Sequence, residues 1–198
     1  MAVQTLNIIH INANGYRARG HELTQLINDY DADIISIQET VTNNIRVKGY
    51  VVHCNNYERG KNRGIAILVK QHLAHEVVNL PDPPSSHHES LAIDIKNNIG
   101  VKYRVISSYI SRHSAFPADY LAAILNNAPN TIWVGDLNSQ HTQFGDTRTS
   151  PYGIHLLKLA RQLKLINHNT LGAFTRFNPS CPPSILDYPY PEAYPIHL

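Results

Sequence analysis

Cysteine is almost absent from this chain, which has only Cys54 and Cys181 among its 198 residues. Two distant cysteines without metal-ligand spacing argue against a disulfide framework and against a zinc site. The sequence also lacks a basic N-terminal segment followed by an apolar stretch, and no apolar run approaches the ~20 residues that span a bilayer. We therefore expect an intracellular protein, nuclear or cytoplasmic, that is not secreted and has no membrane partner.

Charged residues are scarce and nearly balanced, at 16% of the chain with a formal net charge of +2. A balance this small does not by itself diagnose a nucleic-acid-binding protein. Hydrophobic residues make up 42% of the chain, which argues against disorder of its body. A chain of this length, without internal repeats, is expected to fold as one domain with a core of its own.

Apolar periodicity predicts strands that alternate with helices. Runs with β-type spacing indicate strands, and repeats at i, i+3, i+4 and i+7 indicate amphipathic helices. The predicted strands cover residues 6–12, 33–38, 64–70, 91–95, 101–110, 131–134 and, as a short candidate, 165–166. The predicted helices cover residues 23–30, 117–125 and 156–163. This mixture of crossover helices and adjacent strands predicts an α/β fold built in layers around sheets.

Prolines dominate the C-terminal end of the sequence. They occur there at Pro179, Pro182, Pro183, Pro189, Pro191 and Pro195. Because proline cannot donate to a sheet ladder, we expect no regular strand after Asp187. The predicted organisation is one domain over residues 1–187 and an irregular, proline-rich tail over residues 188–198.

The run Trp133-Val134-Gly135-Asp136-Leu137-Asn138 is an apolar stretch that stops at a carboxylate and a carboxamide two residues apart. In extended backbone, residues i and i+2 lie on the same side, so Asp136 and Asn138 can grip one phosphate and one water together. The plainer interpretation is a turn after a strand, which Asp and Asn form often. These few residues alone do not decide between the two.

Further polar residues end other predicted strands, namely Asn12, Glu39 and Tyr109. If these strands are neighbours, their ends converge on one crevice, where ligand sites of layered α/β folds tend to form. Glu39 offers the hard carboxylate oxygen that magnesium prefers, and Tyr109 offers a hydroxyl donor for a phosphate. Each residue also has a plain structural interpretation, as a turn asparagine, an exposed glutamate or a half-buried tyrosine.

Taken together and in order, these motifs resemble the endonuclease/exonuclease/phosphatase superfamily. The match is closest to the apurinic-type endonuclease domain of non-LTR retrotransposons. Each motif is weak alone, but their order and spacing are specific. The motifs are Asn12-Ala13-Asn14-Gly15, Gln38-Glu39-Thr40, residues 63–69, Ser108-Tyr109-Ile110, Gly135-Asp136-Leu137-Asn138 with His141 and Phe144-Gly145, and Thr175 with Ser184-Ile185-Leu186-Asp187.

The resemblance implies a four-layered α/β sandwich, two facing mixed sheets flanked by helices, with a phosphodiester cleft at one edge. It implies Mg²⁺ as cofactor, with Mn²⁺ as a substitute, no small-molecule cofactor, and DNA as partner. The expected metal-binding residues are Glu39 and Asn12, and the expected catalytic residues are Asp136, Asn138, Tyr109 and Asp187. Arg17, Arg63 and His141 are expected to contact nucleic acid. Nothing in the sequence indicates an oligomeric state.

The main departure from the family pattern follows Asp187, where the resemblance predicts further strands and a Ser-Asp-His motif. The only histidine beyond Asp187 is His197, and no aspartate directly precedes it. The chain is therefore interpreted as a C-terminally truncated copy whose last strands are missing or replaced. A smaller departure is Ser111-Arg112, where relatives often carry a proline pair. Three hypotheses remain: a strand-nicking DNA endonuclease, weakened or inactive; a phosphatase or phosphodiesterase for a small or lipid phosphate; and a noncatalytic nucleic-acid-binding remnant.

Overall fold

Strands and helices alternate along most of the chain in the computed structural model, as the periodicity predicts. The structure describes residues 5–55, 64–97, 99–126, 130–168, 176–178, 181–184 and 194–197. Its helices are α1 (Tyr16–Tyr30), α2 (Ala118–Asn126) and α3 (Pro151–Leu163). Its strands are β1 (Thr5–Asn12), β2 (Ile34–Gln38), β3 (Tyr50–Cys54), β4 (Ile65–Lys70), β5 (His75–Val78), β6 (His88–Lys96), β7 (Lys102–Ile110), β8 (Thr131–Asp136), β9 (Arg176–Asn178), β10 (Cys181–Ser184) and β11 (Tyr194–His197).

Two mixed sheets organise these strands. The first sheet has the order β11-β1-β2-β4-β3, and the second has the order β5-β6-β7-β8. In each sheet one pair is parallel, β1 with β2 and β7 with β8, and the other pairs are antiparallel. Strands β9 and β10 form a separate antiparallel pair. Parallel pairing brings the carboxyl ends of β1 and β2 together, and likewise those of β7 and β8.

Side-chain alternation along the strands assigns each sheet two buried faces. In β1, Leu6 and Ile8 belong to a core between the sheets, whereas Ile9 and Ile11 belong to a core shared with α1. A third core packs the second sheet against α2 and α3. The layers are therefore helix, sheet, sheet and helices, which confirms the predicted four-layered α/β sandwich. No helix within the described ranges is long and apolar enough to cross a membrane.

The edges of the fold differ from the sequence prediction. Strands β3 and β5 were not predicted, because both are short and present exposed as well as half-buried side chains. Residues 165–166 are exposed and form no strand, contrary to the prediction. Strand β11 pairs with β1 although no regular strand was expected after Asp187. Proline is tolerated there because β11 lies at a sheet edge, where a backbone N–H on the outer side has no strand to pair with.

A histidine pair joins the outer edges of the two sheets. His53 of β3 and His75 of β5 place their Nε2 atoms 2.7 Å apart. His75 Nδ1 lies 2.8 Å from the carbonyl oxygen of Leu73, which can only accept. His75 Nδ1 therefore carries the hydrogen, and in the neutral pair His53 Nε2 donates to His75 Nε2. If both rings were protonated, two N–H groups would point at each other across this 2.7 Å contact.

This geometry predicts a loss of stability in mild acid. Burial, reinforced by the charge of His75, lowers the pKa of His53. A histidine whose folded pKa is lowered contributes stability that is fully present above its unfolded pKa of about 6.5 and is lost as the pH falls through the folded value. We expect the free energy of unfolding in urea to fall more between about pH 7.5 and about pH 5 for the wild type than for His53→Gln. The exposed His168, changed to Gln, serves as the control; equal losses in wild type and His53→Gln would contradict the prediction.

Candidate active site

The predicted site residues from both sheets meet at one edge of the sandwich. Asn12 ends β1, and Glu39 directly follows its parallel neighbour β2. On the second sheet, Tyr109 of β7 lies opposite Asp136 at the end of β8. The two halves touch, because Asn12 Nδ2 donates to Asp136 Oδ2 at 2.8 Å across the sandwich. The convergence expected from strand ends is therefore present in the structure.

Asn12 bridges the two carboxylates of this edge. Its Nδ2 also donates to Glu39 Oε1 at 3.1 Å, while its Oδ1 accepts from the backbone N–H of Asn14 at 3.0 Å. These partners define the orientation of the amide, with its nitrogen toward the carboxylates. Asn12 thus orients Glu39 and Asp136 relative to each other, and its amide oxygen faces away from them. A direct metal bond from Asn12 stays a prediction.

The hydroxyl of Tyr109 lies among carboxylates. Burial, the charges of Glu39 and Asp136, and a hydrogen bond to Glu39 together raise the pKa of Tyr109 far above its ordinary value. A smaller contribution to the raised pKa comes from the charge of Glu89. The phenol therefore keeps its proton throughout the neutral range and acts as a hydrogen-bond donor. It is not a nucleophile or a base at this site.

Residues 136–138 form the turn of the plainer interpretation, and their joint binding of a phosphate and a water stays a prediction. The backbone N–H of Asn138 donates to Asp136 Oδ1 at 3.0 Å, the bond of an Asx turn. Asn138 takes the left-handed conformation, with φ +48°, which asparagine tolerates well. Its Nδ2 donates to the carbonyl oxygen of Ile110 at 3.1 Å, which holds this carboxamide against the end of β7.

Gly135 allows β8 to approach β7 closely beside the site. Its φ is +148°, and a Cβ at this position would lie less than 3.0 Å from the carbonyl oxygen of Ser108. Ser108 and Gly135 are partners in the ladder, and Tyr109 and Asp136 are the next pair. The missing side chain of Gly135 therefore determines how closely Asp136 lies beside Tyr109.

A buried hydroxyl cluster supports the site from between the sheets. Gln38 Nε2 donates to Ser36 Oγ and to Ser107 Oγ, both at 2.8 Å, and the two hydroxyls are 2.7 Å apart. All three residues are fully buried. Ser36 and Gln38 belong to β2, and Ser107 belongs to β7, so directional bonds join the sheets directly beneath Asn12 and Tyr109.

Glu89 is a residue of this site that sequence reasoning missed. It is the second residue of β6 and pairs with Tyr109 in the ladder, and its Oε2 accepts from the backbone N–H of Gly64 at 3.0 Å. The usable signal was its position in the strand that pairs with the Tyr109 strand, but the prediction began that strand at Leu91. Glu89 therefore adds a third carboxylate near the Tyr109 hydroxyl.

The other predicted site residues are not part of this hydrogen-bonded group. They are the three expected to contact nucleic acid and the expected catalytic residue Asp187. Arg17 is exposed in the first turn of α1, close to the loop of Glu39, since the N–H of Gly15 donates to the Glu39 carbonyl oxygen at 2.8 Å. His141 Nδ1 accepts from the N–H of Gln143 at 3.0 Å and so caps a short 3₁₀ turn, Thr142–Phe144. Arg63 and Asp187 lie outside the described residues.

His197 is placed by its backbone far from the site. It pairs with Thr5 at the start of β1, seven residues before Asn12. At about 3.3 Å per residue, this separation along the strand is roughly 20 Å. The register therefore gives no support to His197 as a replacement for the histidine that the resemblance predicts.

The chemistry of the donor set fits a hard divalent cation such as Mg²⁺. Glu39, Glu89 and Asp136 present oxygen donors at one edge, and Mg²⁺ binds one or two protein carboxylates while keeping several waters. Among the described residues, no group of three or more His, Cys, Asp or Glu side chains is close enough to hold an ion by itself. An ion here would therefore depend on water and substrate oxygens, as magnesium does in phosphoryl sites.

Comparisons with solved structures identify the fold. The endonuclease domain of TRAS1, a telomere-specific non-LTR retrotransposon, superposes with a TM-score of 0.69 at 21% identity, over 93% of this chain and 83% of that one. An AP endonuclease from Archaeoglobus fulgidus gives a TM-score of 0.63 at 18% identity, over 89% and 80%. The 3′ phosphatase NExo from Neisseria, bound to a product DNA hairpin, gives 0.57 at 16% identity, over 94% and 85%. At these identities the likeness establishes the fold.

A family model supplies the assignment that structural likeness alone does not. No curated protein sequence gives a significant match to the chain. The model of the endonuclease/exonuclease/phosphatase family matches residues 9–189, which include every strand-end residue of the site. This match covers most of the chain and agrees with the order of the motifs from Asn12 to Asn138. The chain therefore belongs to the endonuclease/exonuclease/phosphatase family.

Proposed function

We propose that this protein is a magnesium-dependent endonuclease that hydrolyses a phosphodiester bond and nicks one strand of DNA. The observation that carries the proposal is the hydrogen-bonded group of Asn12, Glu39, Tyr109 and Asp136, drawn from both sheets. Support for DNA comes from the similar structures, one a retrotransposon endonuclease domain and another bound to a DNA hairpin.

Asp136 is the group that activates water in this proposal. It is 4% exposed and lies at the strand end. Its two oxygens are oriented by Asn12 Nδ2 and by the N–H of Asn138. A carboxylate fixed in this way can accept a proton from an attacking water without reorganising during the reaction.

Tyr109 and Asn138 are the donors for the scissile phosphate. Tyr109 is the ladder partner of Asp136, and its single O–H, which donates to Glu39, turns to the phosphate in this proposal when Glu39 holds the metal. The Asn138 amide has a second N–H besides the one directed at Ile110. Donors that are already oriented stabilise the negative charge that builds on phosphate oxygens during attack. Glu39 would hold the metal, which when bound supplies Lewis acidity toward the phosphate; Mn²⁺ is expected to substitute for Mg²⁺.

A plasmid-nicking assay tests the proposal. Purified protein with Mg²⁺ should convert supercoiled plasmid to open circles, and EDTA should stop the conversion. Glu39→Gln should lower the nicking rate more than about a hundredfold, since even outer partners of metal ligands cost ~10–100-fold. Glu76→Gln removes an exposed carboxylate of β5 and should nick at the wild-type rate.

Two outcomes of the assay would replace the proposal. Hydrolysis of a small phosphoester without any plasmid nicking would identify the chain as a phosphatase or phosphodiesterase of the same family. Salt-sensitive DNA binding without hydrolysis of either substrate would identify a noncatalytic DNA-binding protein. Equal nicking by wild type and Glu39→Gln would show that the activity comes from elsewhere.

A further inference from the structure

The loop that follows β7, residues 111–116, is fastened to three neighbouring elements. His88 Nε2, at the start of β6, donates to the carbonyl oxygen of Ala115 at 3.1 Å. The hydroxyl of Tyr152, on α3, donates to the carbonyl oxygen of Ser114. The third attachment is Arg112, whose Nε donates to the carbonyl oxygen of Asn138 at 3.0 Å. We call residues 111–116 the Arg112 loop.

Arg112 is exposed although its guanidinium is oriented by protein contacts. Besides the bond to Asn138, its Nη2 lies 3.4 Å from Gln140 Oε1. A guanidinium has five N–H donors in a fixed fork, so two contacts fix its plane and leave further donors directed away from them. Those further donors have no partner among the described residues. The charge is therefore held in place at the surface.

The position of this charge matters because the rest of the site is acidic. The charges of Glu39, Glu89 and Asp136 all act on the Tyr109 hydroxyl, and each would repel a phosphate group. Arg112 is bonded to the backbone of Asn138, two residues after Asp136, so it lies at the rim beside the proposed water-activating carboxylate. A bidentate fork at this rim suits a phosphate oxygen pair.

We propose that Arg112 binds a backbone phosphate of the substrate strand next to the scissile one. The inference rests on the proposed function and deepens it, because it names the group that offsets the acidic site for a polyanionic substrate. A purely structural role, holding Asn138 in place, would need a donor but no charge. Here the guanidinium is both held by hydrogen bonds and exposed with its charge. A positive side chain binds the phosphates of a DNA backbone without reading the base sequence.

The test compares Arg112→Gln, Arg112→Lys and Lys96→Gln in full-length protein. Gln keeps an N–H donor for the Asn138 carbonyl but removes the charge, and Lys keeps the charge without the fork. Lys96 is exposed at the opposite end of β6 from Glu89 and serves as a charge-matched control. Binding of a fluorescent DNA duplex is measured in EDTA over a range of salt concentrations, and nicking rates are measured with Mg²⁺.

We expect Arg112→Gln to bind DNA about tenfold more weakly at low salt and to reduce the slope of log K against log salt by about 0.9. Its KM for nicking should rise while kcat changes little, because a remote phosphate contact is made in ground state and transition state alike. Arg112→Lys should keep most of the slope, and Lys96→Gln should match the wild type.

Each other result is decisive. A wild-type slope and affinity in Arg112→Gln would overturn the inference while leaving the proposed function in place. Equal losses in Arg112→Gln and Arg112→Lys, with kcat lowered, would assign Arg112 to positioning Asn138 instead. The wild type could bind DNA without ever nicking it, with a salt slope that Arg112→Gln reduces. That result would support the phosphate contact and contradict the proposed hydrolysis. If the wild type binds no DNA, both fall.

Discussion

Asp136→Asn should lower the nicking rate by about a hundredfold to ten-thousandfold, the usual cost of removing a general base. The carboxylate accepts hydrogen bonds on both oxygens, from Asn12 Nδ2 at 2.8 Å and from the N–H of Asn138 at 3.0 Å. A carboxamide can accept on its oxygen alone, so its NH₂ group would face one of these donors. The variant therefore loses both the base and the alignment of its neighbours. The measurement is single-turnover nicking of supercoiled plasmid with Mg²⁺.

A matched variant separates chemistry from folding. Asp119 is an exposed aspartate in the first turn of α2, and Asp119→Asn should nick at the wild-type rate. Thermal unfolding of Asp136→Asn should show a cooperative transition, so that lost activity is not lost structure. A well-folded Asp136→Asn protein that nicks within about tenfold of wild type would exclude Asp136 as the base, since a general base is worth at least ~10²-fold.

Gly135→Ala should destabilise the fold by roughly 2–5 kcal/mol, the sum of about 1–2 for a left-handed backbone and about 1–3 for overpacking. The added methyl group would lie less than 3.0 Å from the carbonyl oxygen of Ser108, and φ here is +148°. Backbone must move, because no flexible side chain is available to yield. The free energy of unfolding from urea titration measures the loss, and the nicking rate should fall with it because Asp136 is displaced from Tyr109.

Gly100 provides the control for this prediction. It also has positive φ, at +82°, but an added Cβ would meet nothing within 4 Å. Gly100→Ala should therefore cost only the backbone contribution of about 1–2 kcal/mol. If the two variants lose the same stability, the close approach of β8 to β7 is not what requires glycine at position 135.

Sequence periodicity predicted the interior of this fold better than its margins. Strands β1, β2, β4, β7 and β8 carry continuous or alternating apolar runs, and the helix predicted over residues 117–125 agrees with α2 to within one residue at each end. In contrast, β5 has two exposed residues among its four, so it leaves little apolar signal. Strand β11 was not predicted because proline was taken to exclude pairing, whereas an edge position removes that objection.

The site was predictable only in part, for a reason of distance along the chain. Strand-end positions suggested that Asn12, Glu39, Tyr109 and Asp136 share a crevice, but no local rule predicts a bond between residues 124 positions apart. The family resemblance implied a shared cleft, but it did not predict a bond between these two residues. Glu89 and Arg112 lie outside those motifs, and their roles emerge only from strand register and loop packing.

The buried hydroxyl cluster of Ser36, Gln38 and Ser107 has a consequence for how the site is maintained. Each sheet supplies half of the site, and apolar surfaces alone would let the two layers slide over each other with little energetic preference. Directional hydrogen bonds define one alignment, since they weaken steeply when the geometry changes. The precision of the Asn12–Asp136 contact is thus a property of how the layers dock. Changes far from the cleft can therefore alter the chemistry without touching any residue of the site.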